Sequence, residues 1–209
     1  MKIRLLFALV GWGLVASLAA QDTPSRLSAP TLVFCSPEIQ YRHPQNGLEI
    51  RIRPFQHTFN TLAYSWSGRQ DLMIGWNSPS GKWKIFSYTQ LDNQEQVWTG
   101  LRIDRSFKFG ESPWSALLQY RAFAPLSAEV SPYQFSYGQV MRNCGRLQLG
   151  GFYFAKDWWN PALTRKDYFF AGPVLKVKWN PHCYTLTGYG PDLTRHYRGL
   201  VMLRLAYLL

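Results

Sequence analysis

The stretch that most constrains the fold is 198–209, RGLVMLRLAYLL. Read as a strand, it places Val201, Leu203, Leu205, Tyr207 and Leu209 on one face and Leu200, Met202, Arg204, Ala206 and Leu208 on the other. A long apolar strand with a free edge pairs with other chains, so a soluble protein rarely carries one exposed. A closed barrel in a membrane removes the edge, satisfies the backbone groups and gives the apolar face a hydrocarbon solvent.

The preceding chain fits the same architecture. No helix-period segment stands out, and no internal run of about 18 apolar residues exists that would cross a bilayer as a helix. Alternating runs separated by turn residues predict strands at 31–41, 48–55, 61–67, 71–77, 82–90, 96–104, 114–123, 133–142, 146–155, 168–179, 182–189 and 197–208, twelve in all. Joining some of these runs gives ten or eight longer strands. Asn46-Gly47, Ser78-Pro79-Ser80-Gly81, Asn143-Cys144-Gly145 and Asn180-Pro181 mark turns. Counted back from the carboxyl end, the connections 190–196, 180–181, 156–167, 143–145 and 124–132 alternate between longer and short. Outer-membrane barrels alternate in this way, with short periplasmic turns, which predicts both termini in the periplasm. The pattern is broken by 105–113, which is long where a short turn is expected. It is also broken near 61–77, where runs of 7 residues fall below the 9–11 of a tilted spanning strand. Trp66, Trp76, Trp83, Trp114, Trp158, Trp159, Trp179, Tyr133 and Tyr168 lie at or beside strand ends, where an interfacial aromatic girdle would place them. Trp98 sits away from any turn.

The stretch 198–209 resembles the terminal strand of Gram-negative outer-membrane barrels, which end on alternating apolar residues with an aromatic last. Tyr207 stands third from the end, and Leu209 occupies the place where Phe is usual. The resemblance implies an all-β fold, a single antiparallel transmembrane β-barrel of about 12 strands in the cell outer membrane. Val201, Leu203, Leu205, Tyr207 and Leu209 would form its assembly signal. Outer-membrane lipid, lipopolysaccharide and the barrel-assembly machinery would be its partners. Aromatic residues at 16% and charged residues at 17%, against roughly 25% charged in soluble domains, suit such a barrel. They equally suit a secreted soluble β-barrel or sandwich.

Residues 1–20 read as a signal peptide, with Lys2 and Arg4 ahead of a short apolar core and small residues near Ala20. Residues 21–30 read as a short periplasmic linker and 31–209 as the barrel. Cys35, Cys144 and Cys183 are odd in number and have no metal-type spacing; one disulfide or none fits them.

The polar faces of the expected strands are basic. Arg51, Arg53, Lys82, Lys84, Arg102, Arg121, Arg146, Lys176, Lys178 and Arg204 set ten cations against Glu49 and Asp104. Charges at the bilayer midplane cost about 2–4 kcal/mol for Arg or Lys, so these side chains belong in a lumen or near the interfaces. A basic lumen favours small anionic solutes. The net charge of +11 is also consistent with lipopolysaccharide contact, and no nucleic-acid motif accompanies it. By size and charge the chain resembles the monomeric twelve-stranded porins that pass acidic oligosaccharides, which implies a passive channel. The alternative within the same fold is a plugged barrel, structural or binding, whose long side chains pair with Glu49, Asp104 and backbone carbonyls. A lipid-acting barrel enzyme is the other. The segment Tyr41–Gly47 faintly resembles the His-x-Ser-Asn-Gly signature of outer-membrane phospholipases and lipid A deacylases, but Gln45 stands where the nucleophile is needed. The segment therefore reads as an Asn-Gly turn. Neither His57 nor His196 has a convincing partner, and His182 beside Cys183 cannot hold a metal alone. No catalytic residue, metal site or cofactor is expected.

Overall fold

The computed structural model describes residues 31–60, 65–92, 96–126, 131–159, 167–194 and 199–209. The expected signal peptide, 1–20, and linker, 21–30, lie outside these residues, as does His196. The described chain forms eleven strands: β1 (Thr31–Arg42), β2 (Leu48–Asn60), β3 (Ser65–Asn77), β4 (Trp83–Asp92), β5 (Val97–Lys108), β6 (Trp114–Pro125), β7 (Tyr133–Cys144), β8 (Leu147–Trp158), β9 (Tyr168–Asn180), β10 (Cys183–Pro191) and β11 (Gly199–Leu208). Sequential strands pair antiparallel, and β1 closes the barrel by pairing with β11 in parallel, from Thr31↔Gly199 to Gln40↔Leu208.

The expected count of twelve is therefore corrected to eleven. The runs 61–67 and 71–77 belong largely to one strand, β3. The polar cluster Ser67-Gly68-Arg69-Gln70-Asp71 mimics a turn in sequence, yet it continues the ladder to β2 and β4. Asp71 and Met73 occupy inward positions, so the polar stretch is wall and not loop. The odd count has a topological consequence. Thr31 and Leu209 lie at opposite rims, and the expectation that both termini share one side does not hold for the described barrel. The closing pair is also the exception to an all-antiparallel sheet.

One rim carries only tight turns: 43–47, 78–82, 109–113, 145–146 and 181–182. Gly47 and Gly145 adopt φ of 74° and 73° there, a conformation that costs other residues Cβ strain. The connection 105–113 shortens to 109–113 because β5 runs on to Lys108. The opposite rim carries the longer connections 126–132, 159–167 and 192–198 together with 61–64 and 93–96. We refer to these as the turn rim and the loop rim.

The two faces separate by the period of two. Outward side chains include Ile39, Ile52, Leu72, Ile74, Ile85, Leu101, Leu118, Val140, Leu149, Leu203 and Leu205, each between 41% and 50% exposed. Among the described outward side chains of the strands, the charged ones are Arg105, Arg142 and Asp157, and all three stand near a rim. Tyr41, Trp76, Trp83, Trp114 and Tyr207 form an outward aromatic band at the turn rim. Arg105 lies over the Trp83 ring at 4.1 Å.

The expected girdle is corrected at three positions. Tyr133 and Trp158 are buried inside the barrel, and Tyr168 also faces inward. Position along a strand suggested the girdle, whereas parity decides the face. Trp159 is exposed at the loop rim, and the Trp66 side chain lies outside the described residues. Two aromatic clusters fill the interior. One contains Phe34, Phe135, Phe152, Phe154, Phe170 and Met202, the other Phe86, Tyr88, Trp98, Phe123, Tyr133 and Trp158. The three cysteines are unpaired.

Backbone proximity in the β7–β8 ladder supplies a test. A Cβ on Gly150 would sit 1.8 Å from the Val140 carbonyl oxygen, whereas one on Gly151 meets its nearest atom at 3.7 Å. Gly150→Ala is expected to lower stability by about 1–3 kcal/mol in urea unfolding of the folded protein. Gly151→Ala should stay within about 0.5 kcal/mol of wild type.

Candidate functional site

The interior charges form a network rather than a bare basic lining. Arg53, on β2, has no exposed surface and lies between two carboxylates. Its Nε donates to Glu38 Oε2 at 2.6 Å, and its Nη1 donates to Asp71 Oδ2 at 3.2 Å. The Tyr88 hydroxyl donates to the same Asp71 oxygen. Two residues back along β2, Arg51 pairs with Glu49 at 2.5 Å and reaches Glu38 and Asp104 at 3.8 and 3.9 Å. Arg102 and Asp104, two apart on β5, make a bidentate pair at 2.8 and 2.6 Å. Gln119 donates to Asp104 at 2.8 Å and accepts from Arg121 Nε at 3.0 Å. At the turn rim, Lys84 and Arg42 close on Glu49 at 3.0 and 3.1 Å.

Aromatic faces complete the seating of the cations. The Phe86 ring lies between the guanidiniums of Arg51 and Arg102, at 4.7 and 5.3 Å. Arg121 rests on Phe135 at 4.7 Å and on Tyr88 at 5.4 Å. Lys176 sits 4.0 Å over Tyr184. Such stacking suits a weakly hydrated guanidinium inside a dense interior.

Eight of the ten expected lumen cations take inward positions: Arg51, Arg53, Lys84, Arg102, Arg121, Lys176, Lys178 and Arg204. Lys82 and Arg146 do not; both are exposed in turns of the turn rim. The sequence reading overlooked Glu38 and Asp71, which hold Arg53, and also Arg69 and Lys156. Glu38 was legible as a polar residue alternating with Ile39 inside the expected strand 31–41. Lys156 lies one residue beyond the expected end of its strand. The face 201–209 points outward as expected, with Leu203, Leu205, Tyr207 and Leu209 exposed and Val201 half-buried.

Above the network, toward the loop rim, a cavity is lined by Arg53, Arg69, Arg121, Lys156 and Arg204 together with Gln90 and rings such as Phe34, Tyr133 and Tyr168. Its volume is about 20 Å³, on a measure in which one water needs roughly 10–15 Å³. Among the described residues none of the lining is acidic. Lys156 lies 3.9 Å over Tyr133 and 4.0 Å over Trp158. His43 Nδ1 accepts from the Gln45 and Asn46 amides, in keeping with a turn at that segment.

Set against known proteins, the chain matches no family model, no curated protein and no solved structure.

The network gives a stability test. Glu38→Gln leaves the Arg53 guanidinium buried with half of its counter-charge. The expected loss is about 3–5 kcal/mol in urea unfolding, because breaking one side of a buried pair strands the other. Arg42→Gln at the rim should cost under about 1 kcal/mol. Adding Arg53→Met to Glu38→Gln should recover part of the loss, and a double mutant weaker than either single would contradict the pairing.

Proposed function

We propose that the protein is an outer-membrane β-barrel whose interior is closed by its own side chains, and which works by binding at its loop rim. The observation that carries this reading is the outer wall. Half-exposed aliphatic side chains surround the barrel, and among the described outward side chains the charged ones stand near the rims. An outer wall this rich in exposed aliphatic side chains, interrupted by uncharged polar residues such as Ser87 and Thr89, is unfavourable in water and favourable in hydrocarbon. Strands of 9 to 13 residues match a tilted membrane crossing, and aromatic residues band one rim. The segment 1–20 would supply export. Lipid and lipopolysaccharide would bathe the outer wall, and the barrel-assembly machinery would recognise 201–209. No catalytic chemistry is assigned.

The interior favours the plugged barrel over the passive channel. Arg51, Arg53 and Arg102 are satisfied by carboxylates instead of being available to passing anions. Aromatic clusters fill much of the remaining space. Eleven strands enclose more room than the eight that leave space only for side chains. Here that extra room is taken by Arg, Trp, Tyr and Phe, the largest side chains available.

Two experiments test this reading. In planar bilayers, folded protein is expected to show no steady conductance. An anion-selective conductance that weakens with salt, and weakens further on replacing Arg51, Arg53, Lys176 and Lys178 by Gln, would establish the channel instead. Leu203→Arg or Leu205→Arg should impair membrane assembly at a cost of about 2–4 kcal/mol near the midplane, whereas Arg204→Gln should still assemble. A mature protein that stays soluble and folded without detergent would favour a secreted barrel.

A further inference from the structure

We infer that the cation-lined cavity at the loop rim binds one phosphate group. The inference rests on the closed-barrel reading, since an open pore would expose the same side chains to bulk counter-ions. Five cations from five strands converge there: Arg53 from β2, Arg69 from β3, Arg121 from β6, Lys156 from β8 and Arg204 from β11. Among the described residues no acidic one lines the cavity; Glu38 and Asp71, behind Arg53, offset part of the charge. Like charges brought together in a poorly solvated interior repel, and an anion between them relieves the repulsion.

A second observation points the same way. Ser36 and Arg204 are register partners across the parallel β1–β11 seam. The Ser36 hydroxyl and the Arg204 Nε are both buried, with no hydrogen-bond partner among the described residues. Orphaned polar groups of this kind are rare in folded proteins, and Arg204, which lines the cavity, thereby keeps a donor for an acceptor brought from outside. The donors are also pre-set. Arg121 is fixed by Gln119 and by two rings, and Lys156 by Tyr133 and Trp158, so little side-chain freedom is lost on binding.

Size and charge select the ligand class. About 20 Å³ is the room of one or two waters, which excludes a nucleotide or a sugar; a phosphate group would insert its oxygens among the cations with the rest of the group in the cavity's opening. A doubly charged tetrahedral oxyanion offers more acceptor oxygens to several guanidiniums than a carboxylate does. The phosphate group arrives either as the free ion or on the headgroup of a lipid.

The test uses the full folded chain in a phosphate-free detergent at low salt, titrated calorimetrically with inorganic phosphate and, separately, with short-chain phosphatidic acid. Saturable one-to-one binding is expected. Lys156→Gln and Arg204→Gln should each weaken it at least about tenfold, as the loss of a charge-assisted contact does. Lys82→Gln at the opposite rim should leave it unchanged. Binding of both probes identifies the free group as sufficient; binding of phosphatidic acid alone identifies a lipid headgroup. Folding of each variant is read from its heat-modifiable gel migration, with Arg69→Gln replacing any variant that fails to fold. No saturable binding of either probe by folded wild type, or equal binding by all variants, overturns the site. The closed-barrel reading fails separately: protein that conducts yet binds phosphate keeps the site and loses the plug.

Discussion

A guanidinium with no exposed surface cannot stand alone inside a protein, and the pairing of Arg53 with Glu38 and Asp71 is the interaction on which the interior depends. These three residues come from three neighbouring strands, so their contact exists only when β1, β2 and β3 are in register. Arg51 then shares Glu38 and reaches Asp104, which extends the linkage to β5, and Gln119 and Arg121 carry it to β6. The charged half of the barrel is therefore cross-braced through its centre. The other half, β7 to β11, packs aromatic and aliphatic side chains around Lys156, Lys176, Lys178 and Arg204, cations outside the carboxylate network. A buried network of this kind adds less to stability than an apolar core of equal volume, but a slipped register would leave its charges unmatched.

The outer wall and the interior constrain each other. Every residue that alternates with an inward Arg or Glu must point outward, and those positions hold Ile50, Ile52, Leu101 and Ile103 around the cations of β2 and β5. A barrel that keeps its charges inside and its aliphatics outside is inverted relative to a soluble protein. Closure through a parallel pair follows from the odd strand count and sets Ser36 against Arg204 at the seam. The cavity lies beside that seam because Phe34 and Arg204, one from each closing strand, form part of its wall.

The architecture was legible in the sequence wherever alternation was strict, as in 48–53, 82–90 and 198–209. It was obscured where polar residues gather inside a strand: Ser67 to Asp71 look like a turn but sit in the middle of β3. That single misreading changes an odd count to an even one, and with it the direction of the closing pair and the side on which Thr31 lies. Eight basic interior residues were found because Arg and Lys alternating with aliphatics have few other readings. The carboxylates Glu38 and Asp71 were not, because pairing across strands depends on register, which local pattern does not specify. The aromatic residues split for a related reason. Trp76, Trp83 and Trp114 share the strand-end placement of Trp158 and Tyr133, and only parity within a correctly bounded strand separates outward from interior rings.

The central claim is that the outer wall meets hydrocarbon while the charges remain in a dry interior. Spin labels on single cysteines at Leu72, Ile74, Leu101, Leu118, Leu203 and Leu205, in a cysteine-free background reconstituted into vesicles, measure this directly. The expected result is strong relaxation by oxygen and weak relaxation by a water-soluble nickel chelate at every position. The preference for oxygen should be greatest at mid-strand and decline toward both rims across a band of about 25 Å. Labels that meet the aqueous reagent freely at mid-strand would contradict it and would place this wall in water or against another protein.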